Sequence, residues 1–194
     1  MKRLQQQIRF ILEADKLKQI VRQTLLTDAS RLENVAEHSW QLAVMALVLM
    51  EYAPNKDLDL LRIVKMLLIH DLVEIDTGDV HFCDTDQRRR QKEREIQAAD
   101  RIFNLLPNEQ ARSFIQLWNE FETRKSPEAR FAQVLDRLQP LLHGYITGGQ
   151  TWKKHGITRH HLLSIIGPMK EAAPEIYDYA AMLISDAVDK GFLP

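Results

Sequence analysis

Apolar residues recur at helical spacing along nearly the whole chain. Ile8, Ile11, Leu12, Leu17, Ile20 and Val21 follow the stripe of one amphipathic helix over about residues 6–23. Residues 24–33 are polar and irregular. Asn34 can cap a second helix, and Glu37 three residues later completes a capping-box pattern. That helix is apolar almost all round over 43–49, which predicts a central place in the core. Pro54 and Asn55 break the chain, and a third helix follows over about 58–73, ending before Gly78. After a polar segment, the charged run 88–95 opens a helix that continues through Ile96, Ala99, Ile102, Phe103 and Leu106. Pro107 opens another, with Phe114, Leu117, Trp118 and Phe121 on its apolar side.

Ser126-Pro127 is a start signal, a capping serine with proline at the first helical position. The helix it opens carries Phe131, Val134, Leu135, Leu138 and Leu142, with Pro140 as a kink, and Gly148-Gly149 closes it. Thr158 caps a short helix that stops at Gly167-Pro168, and a last helix carries Ile176, Tyr179, Ala180, Leu183, Ile184 and Val188. No alternating run demands a strand. The pattern predicts an all-α, compact helical bundle of about seven or eight helices, one domain over residues 1–194, with C-terminal helices over 158–190 packed on it.

Charge and composition narrow the function classes. The 194 residues hold 26 Lys+Arg and 27 Asp+Glu, a formal net charge of -1. That balance speaks against electrostatically driven binding of a nucleic-acid polymer. A single cysteine, Cys83, excludes an internal disulfide and a Cys-rich zinc site. The first ten residues lack the apolar core of a signal peptide, and the most apolar stretch, 42–50, is too short to span a bilayer. The expectation is a soluble cytoplasmic protein without membrane contact.

The sharpest feature is a strongly apolar helix that ends in His70-Asp71-Leu72-Val73-Glu74. Buried charges are costly unless paired or bound to metal. Adjacent helical residues point about 100° apart, so His70 and Asp71 can flank one cation without completing its shell. Glu74, at i+4 from His70, lies on the same face. His38, in the first turn of the second helix, and Asp136, beside the buried stripe of its own, offer the remaining ligands. Two imidazoles and two carboxylates suit Mn²⁺, Co²⁺, Fe²⁺ or Zn²⁺ better than Ca²⁺, and leave positions for water and a substrate oxygen. Each residue alone has a plainer reading: a hydrogen-bonded core histidine, an Asp136 paired with Arg137, a helix-end Glu74.

The order of these residues resembles the HD-domain phosphohydrolase superfamily. Within it, the chain is similar to the compact branch that contains the bacterial 5'-deoxynucleotidase and its eukaryotic relatives. The resemblance rests on Glu33-Asn34-Val35-Ala36-Glu37-His38-Ser39, on the stretch from His70 to Asp79, on Leu117-Trp118-Asn119-Glu120-Phe121-Glu122, and on the stretch from Glu128 to Asp136. Together these blocks span a family-like core of about residues 20–145. The resemblance implies one divalent cation (Mn, Co, Fe, Mg or Zn) held by His38, His70, Asp71 and Asp136, and hydrolysis of nucleoside 5'-monophosphates. It implies that Glu74 orients or activates the attacking water or relays a proton. It places Asp79 toward the sugar side of the pocket, and it implies a homodimer. One departure stands out. The branch carries an Arg-Trp pair before the first metal histidine, where this chain reads Gln23-Thr24 with Arg22 just ahead. Arg22, with Lys18 one turn earlier, is then the expected source of positive charge for the phosphate.

Few other basic residues flank the proposed site, which favours a monophosphate over a triphosphate. Two alternatives stay open: a phosphodiesterase or nucleoside triphosphate hydrolase on the same metal, and a non-catalytic helical module with a structural metal. The remaining polar features read more plainly. His81 and Cys83 belong to a solvated loop or line the pocket, the run 88–94 is a solvated face, and His155, His160 and His161 lie on the surface. Trp40 and Trp118 are expected in the core, and Tyr177, Tyr179, Phe192 and Leu193 are expected to cover a partner.

Overall fold

The computed structural model describes residues 1–79 and 85–193, and in 85–90 the backbone alone. His81, Cys83 and the side chains of Arg88, Arg89 and Arg90 therefore lie outside the described residues. The fold is all-α apart from one small hairpin. The chain runs through α1 (Lys2–Ala14), β1 (Val21–Leu25), β2 (Leu32–Asn34), α2 (Val35–Leu49), α3 (Leu60–Ile69), α4 (Glu74–Thr77) and α5 (Thr85–Phe103). It continues through α6 (Asn108–Thr123), α7 (Pro127–Ile146), α8 (Gln150–His155), α9 (Arg159–Ile166), α10 (Met169–Ala172) and α11 (Pro174–Asp189). There are more helical pieces than the apolar pattern predicts because α4, α8 and α10 are single turns or little more.

The capping signals act as the sequence predicts. The Asn34 side chain accepts from the Glu37 amide while the Glu37 carboxylate accepts from the Asn34 amide. Ser126 caps α7, with Pro127 at the first turn. Pro140 sits inside α7 without ending it. α7 is the centre of the bundle: it packs against α2, α3, α6, α9, α10 and α11. Phe131, Val134, Leu135, Leu138 and Leu141 on α7 are buried. One hydrophobic cluster runs from Phe10 to Leu193. Among the described residues no helix is long and apolar enough to cross a membrane.

Four expectations are corrected. The first helix stops at Ala14, a 3-10 turn covers Asp15–Gln19, and Val21–Leu25 form a strand instead of a helix end. Ile20 turns the backbone extended, and the polar stretch after Leu25 folds back through a turn in which Asp28 accepts from the Ser30 amide and hydroxyl. β1 then pairs antiparallel with β2, Val21 opposite Asn34. Within α1 only Phe10 is buried, whereas Leu4, Ile8, Ile11 and Leu12 are exposed. α2 is not buried all round: Leu42 and Ala46 face the core, but Trp40, Val44, Leu47 and Val48 face outward, Trp40 at 65% exposure. Finally, Leu193 is buried in its own chain and does not cover a partner, and Phe192 packs against the core. Trp118 is buried as expected, His160 and His161 are exposed, and His155 is half-buried.

The C-terminal segment is held by a close backbone approach. Gly149 has φ +71°, and a Cβ there would run into the Phe192 carbonyl. Gly149→Ala should therefore lose stability on two grounds, left-handed strain and a displaced backbone, by about 2–3 kcal/mol. In a thermal melt this corresponds to a fall of about 5–10 °C for a domain of this size.

Candidate functional site

The site begins where α3 changes its winding. The α-helix gives way at His70 to a 3-10 turn, His70–Val73, before α4 starts at Glu74. In a 3-10 turn residues three apart eclipse one another. Glu74 is thereby drawn toward Asp71, and not stacked over His70 as an unbroken helix would have it. After burial, Asp71 is the strongest influence raising the Glu74 carboxyl.

Each imidazole is fixed by its Nδ1. His70 Nδ1 lies 2.9 Å from the Leu67 carbonyl, which can only accept, so this nitrogen carries the proton. His38 Nδ1 lies 3.1 Å from Gln139 Oε1. The Gln139 amide nitrogen donates to Glu33 Oε1 at 2.6 Å, so its oxygen is the atom that faces His38 and must accept. Hydrogen bonds to the other ring nitrogen set tautomer and orientation in this way at metal sites. Both Nε2 atoms are left with lone pairs that point at carboxylates. His38 Nε2 is 3.1 Å from Asp136 Oδ1 and 3.9 Å from Asp71 Oδ2. His70 Nε2 is 3.2 Å from Asp71 Oδ2 and 3.7 Å from Asp136 Oδ1, and this buried atom has no hydrogen-bond partner.

Lone pairs converging on carboxylates repel unless positive charge lies between them. His38, His70 and Asp71 place one donor atom each within 4.8 Å of one another, and Asp136 reaches both imidazoles. Nitrogen and oxygen donors in this ratio fit a divalent transition cation. The titration shifts carry the same message. Burial works to raise Asp71 and Asp136, yet the histidines, with Arg22 beside Asp71, hold both below the usual carboxylate range. Burial works to lower His70, and the two carboxylates outweigh it and raise it. The site favours a positive charge.

Four expected residues thus meet, and the others divide. Arg22 comes in on β1, 13% exposed, with Nη1 3.2 Å from Asp71 Oδ2. Gly78, at φ +72°, turns the chain after α4 so that the Asp79 carboxylate accepts from the Gln23 amide close to Arg22. Burial and then Asp71 raise the Asp79 carboxyl, with Arg22 opposing them. Lys18 is not brought in. It lies in the 3-10 turn before β1, exposed, and pairs with Asp15. Arg22 is therefore the cation of the pair that reaches the site.

Sequence reasoning missed the shell behind the ligands. Glu33, Gln41, Gln139 and His143 form a network behind His38: Gln139 also meets Gln41 and His143, and His143 Nδ1 donates to the Leu25 carbonyl. The signal was present, because Asp136, Gln139 and His143 fall at i, i+3 and i+7 on an otherwise apolar helix face. Also missed was a cavity of about 250 Å³ opening on His70, Asp71 and Asp136. Lys92 on α5 and Arg124 at the end of α6 line it, with Glu95 and Glu122 as counter-charges. Lys92, Glu93 and Arg94 are exposed, as expected of a solvated face, and Lys92 with Arg124 puts more basic residues near the site than sequence spacing suggests.

Replacing Gln139 by Leu removes the acceptor that fixes His38 and leaves Glu33 without its donor. Mn²⁺ affinity of the Gln139→Leu protein, measured by titration calorimetry, should fall about 10–100-fold, the range typical of groups that orient a metal ligand.

Comparison with known proteins was consistent with this geometry. A family model described as HD domain matches residues 14–177. A solved structure titled a predicted metal-dependent phosphohydrolase, from Magnetospirillum magnetotacticum MS-1, superposes with a TM-score of 0.94 at 48% identity, covering 99% of this chain and 96% of that one. Among curated proteins, human 5'-deoxynucleotidase HDDC2 is 35% identical over 115 residues, 59% of this chain and 54% of its own length. The mouse protein of the same name is 32% identical over 136 residues, 70% of this chain and 66% of its own length. The chain spans about half the length of the human relative it matches. With the family model covering most of the chain and all four ligand positions inside it, this chain belongs to the HD-domain family.

Proposed function

We propose that this chain is a metal-dependent phosphomonoesterase that releases phosphate from nucleoside 5'-monophosphates. The observation that carries the reading is the convergence of two fixed imidazole lone pairs and two carboxylates beside a buried arginine and a buried, unpartnered carboxylate. A structural metal needs only the first four groups. Glu74 Oε2 is buried without a hydrogen-bond partner, which is how a group awaiting water or substrate looks. The names of the curated relatives and of the 48%-identical structure support the same class.

His38, His70, Asp71 and Asp136 would hold the cation. When bound, a divalent cation supplies Lewis-acid polarisation of a phosphoryl oxygen and helps place water for in-line attack. Phosphoryl transfer asks a protein mainly for positioning and charge neutralisation. Arg22 meets the second demand, a planar guanidinium suited to two oxygens of one phosphate. Glu74 meets the first. Burial, Asp71 and Asp79 push its carboxyl well above the usual range. Added positive charge beside Asp71 favours the ionised form, and the carboxylate then accepts a proton from the attacking water. Asp79, beside Arg22, faces the sugar side of the pocket. Lys18 has no part in this scheme.

Phosphate release from a panel of ribo- and deoxyribonucleoside 5'-monophosphates should depend on added Mn²⁺ or Co²⁺. Glu74→Gln should retain metal and lose at least about 100-fold in kcat, the size of a general-base contribution. Asp71→Ala should lose both metal and turnover. Turnover in a metal-depleted Asp71→Ala protein would overturn the scheme.

The reading also includes a homodimer in a reducing cytoplasm. What supports the dimer is a pair of unpartnered apolar stripes at helical spacing: Trp40, Val44, Leu47 and Val48 on α2, and Leu4, Ile8, Ile11 and Leu12 on α1. Light scattering should give twice the chain mass, and Leu47→Glu should shift it toward the monomer while its melting temperature stays near that of the parent.

A further inference from the structure

Glu33 is the most buried carboxylate of the site, 1% exposed, and the scheme above assigns it nothing. It lies on β2, directly before the residue that caps α2. Arg22 and Glu33 adjoin the Val21–Asn34 pair on facing strands of the hairpin. Glu33 Oε1 accepts from Gln139 at 2.6 Å, in the shell that fixes His38. Glu33 Oε2 lies 3.4 Å from Arg22 Nε and 3.8 Å from His38 Nδ1. Neither Glu33 Oε2 nor Arg22 Nε completes a hydrogen bond, although both are buried. The other end of the guanidinium is spent on Asp71, with Nη1 3.2 Å from Oδ2.

A guanidinium stretched between two carboxylates holds whichever stays anionic and accessible. Asp71 is a metal ligand in the reading above, and an oxygen given to a cation is a poorer acceptor for Arg22. Glu33 meets the ligand shell through His38 Nδ1 and Gln139; burial pushes its carboxyl up to about 7, and Arg22 is the strongest influence opposing that. We propose that Glu33 is a positioning residue: it anchors Arg22 by its Nε edge, so that the Nη edge is presented to the substrate phosphate and not lost to Asp71. One buried carboxylate then ties the phosphate-binding cation to the shell behind the metal, through Arg22 on one oxygen and Gln139 on the other. This rests on the reading of Arg22 as the phosphate-binding residue.

The test is a double-mutant cycle on orthophosphate binding to the Mn²⁺-loaded protein, read by titration calorimetry. Glu33→Gln keeps an oxygen for Gln139 and removes the charge that faces Arg22. Its phosphate affinity should fall at least about tenfold, while its Mn²⁺ affinity changes no more than about threefold. Arg22→Gln should lose as much, and the double variant should lose no more than Arg22→Gln alone, because non-additivity is the mark of two groups acting as a unit. Glu33→Asp, a shorter carboxylate, should recover part of the loss, and it carries the cycle if Glu33→Gln does not fold. With nucleotide substrates the loss should appear in KM ahead of kcat. Additive losses in the cycle, or Glu33→Gln weakening Mn²⁺ as much as phosphate, would overturn the proposal and leave Glu33 a structural part of the metal shell. Phosphate binding is read without turnover. A protein that passes the cycle and hydrolyses no monophosphate therefore refutes the nucleotidase reading alone.

Discussion

Two imidazole lone pairs held against two carboxylates in a nearly dry interior set the terms for the rest of this molecule. Such a knot is unfavourable without positive charge, and the chain supplies only part of it through Arg22. The central place of α7 follows from this. It contributes Asp136, against both imidazoles, and then, on the same face, Gln139 and His143, which hold His38 from behind. α2 begins one turn before His38, and its capping box fixes that turn. α3 ends where a ligand pair is needed, and tightening into a 3-10 turn lets His70, Asp71 and Glu74 act within five residues. The bundle around these pieces is ordinary apolar packing; the direction each polar group points is what the packing secures.

The hairpin has a defined task in this arrangement. A helix through residues 20–25 would rotate successive side chains by about 100° each. A strand alternates faces, and pairing with β2 fixes which face Arg22 takes. The pairing brings Arg22 beside Glu33, eleven residues apart in sequence, and both toward His38 and Asp71.

The residues that meet at the site were legible because ionisable residues inside apolar helices are costly, and His70-Asp71 stood out against Leu67, Leu68 and Ile69. The caps were legible because each depends on residues three apart. What was not legible depended on long-range pairing. Val21 continued the apolar stripe of the first helix, and nothing local revealed that Leu32–Asn34 would pair with the segment and pull it into a strand. The apolar run in α2 looked central because burial was inferred from composition, whereas half of that surface faces outward. Lys92 is exposed, as its charged neighbours suggest, but nothing local revealed that the end of α6 would bring Arg124 to line one cavity with it.

The same geometry bears on what the site recognises. In the related branch an aromatic residue follows the arginine before the first metal histidine, and this chain has none at Gln23 or Thr24. The Gln23 backbone amide instead donates to Asp79, so the strand that carries the cation also fixes the acid beside it. The cavity that opens on the ligands is lined by Lys92, Glu122 and Arg124, with Phe121 as its aromatic wall, itself packed 4.6 Å from the His70 ring. Phe121 is itself buried and offers little free face to a base. In the reading proposed above, recognition falls on charge, with the phosphate met by the bound cation and by Arg22.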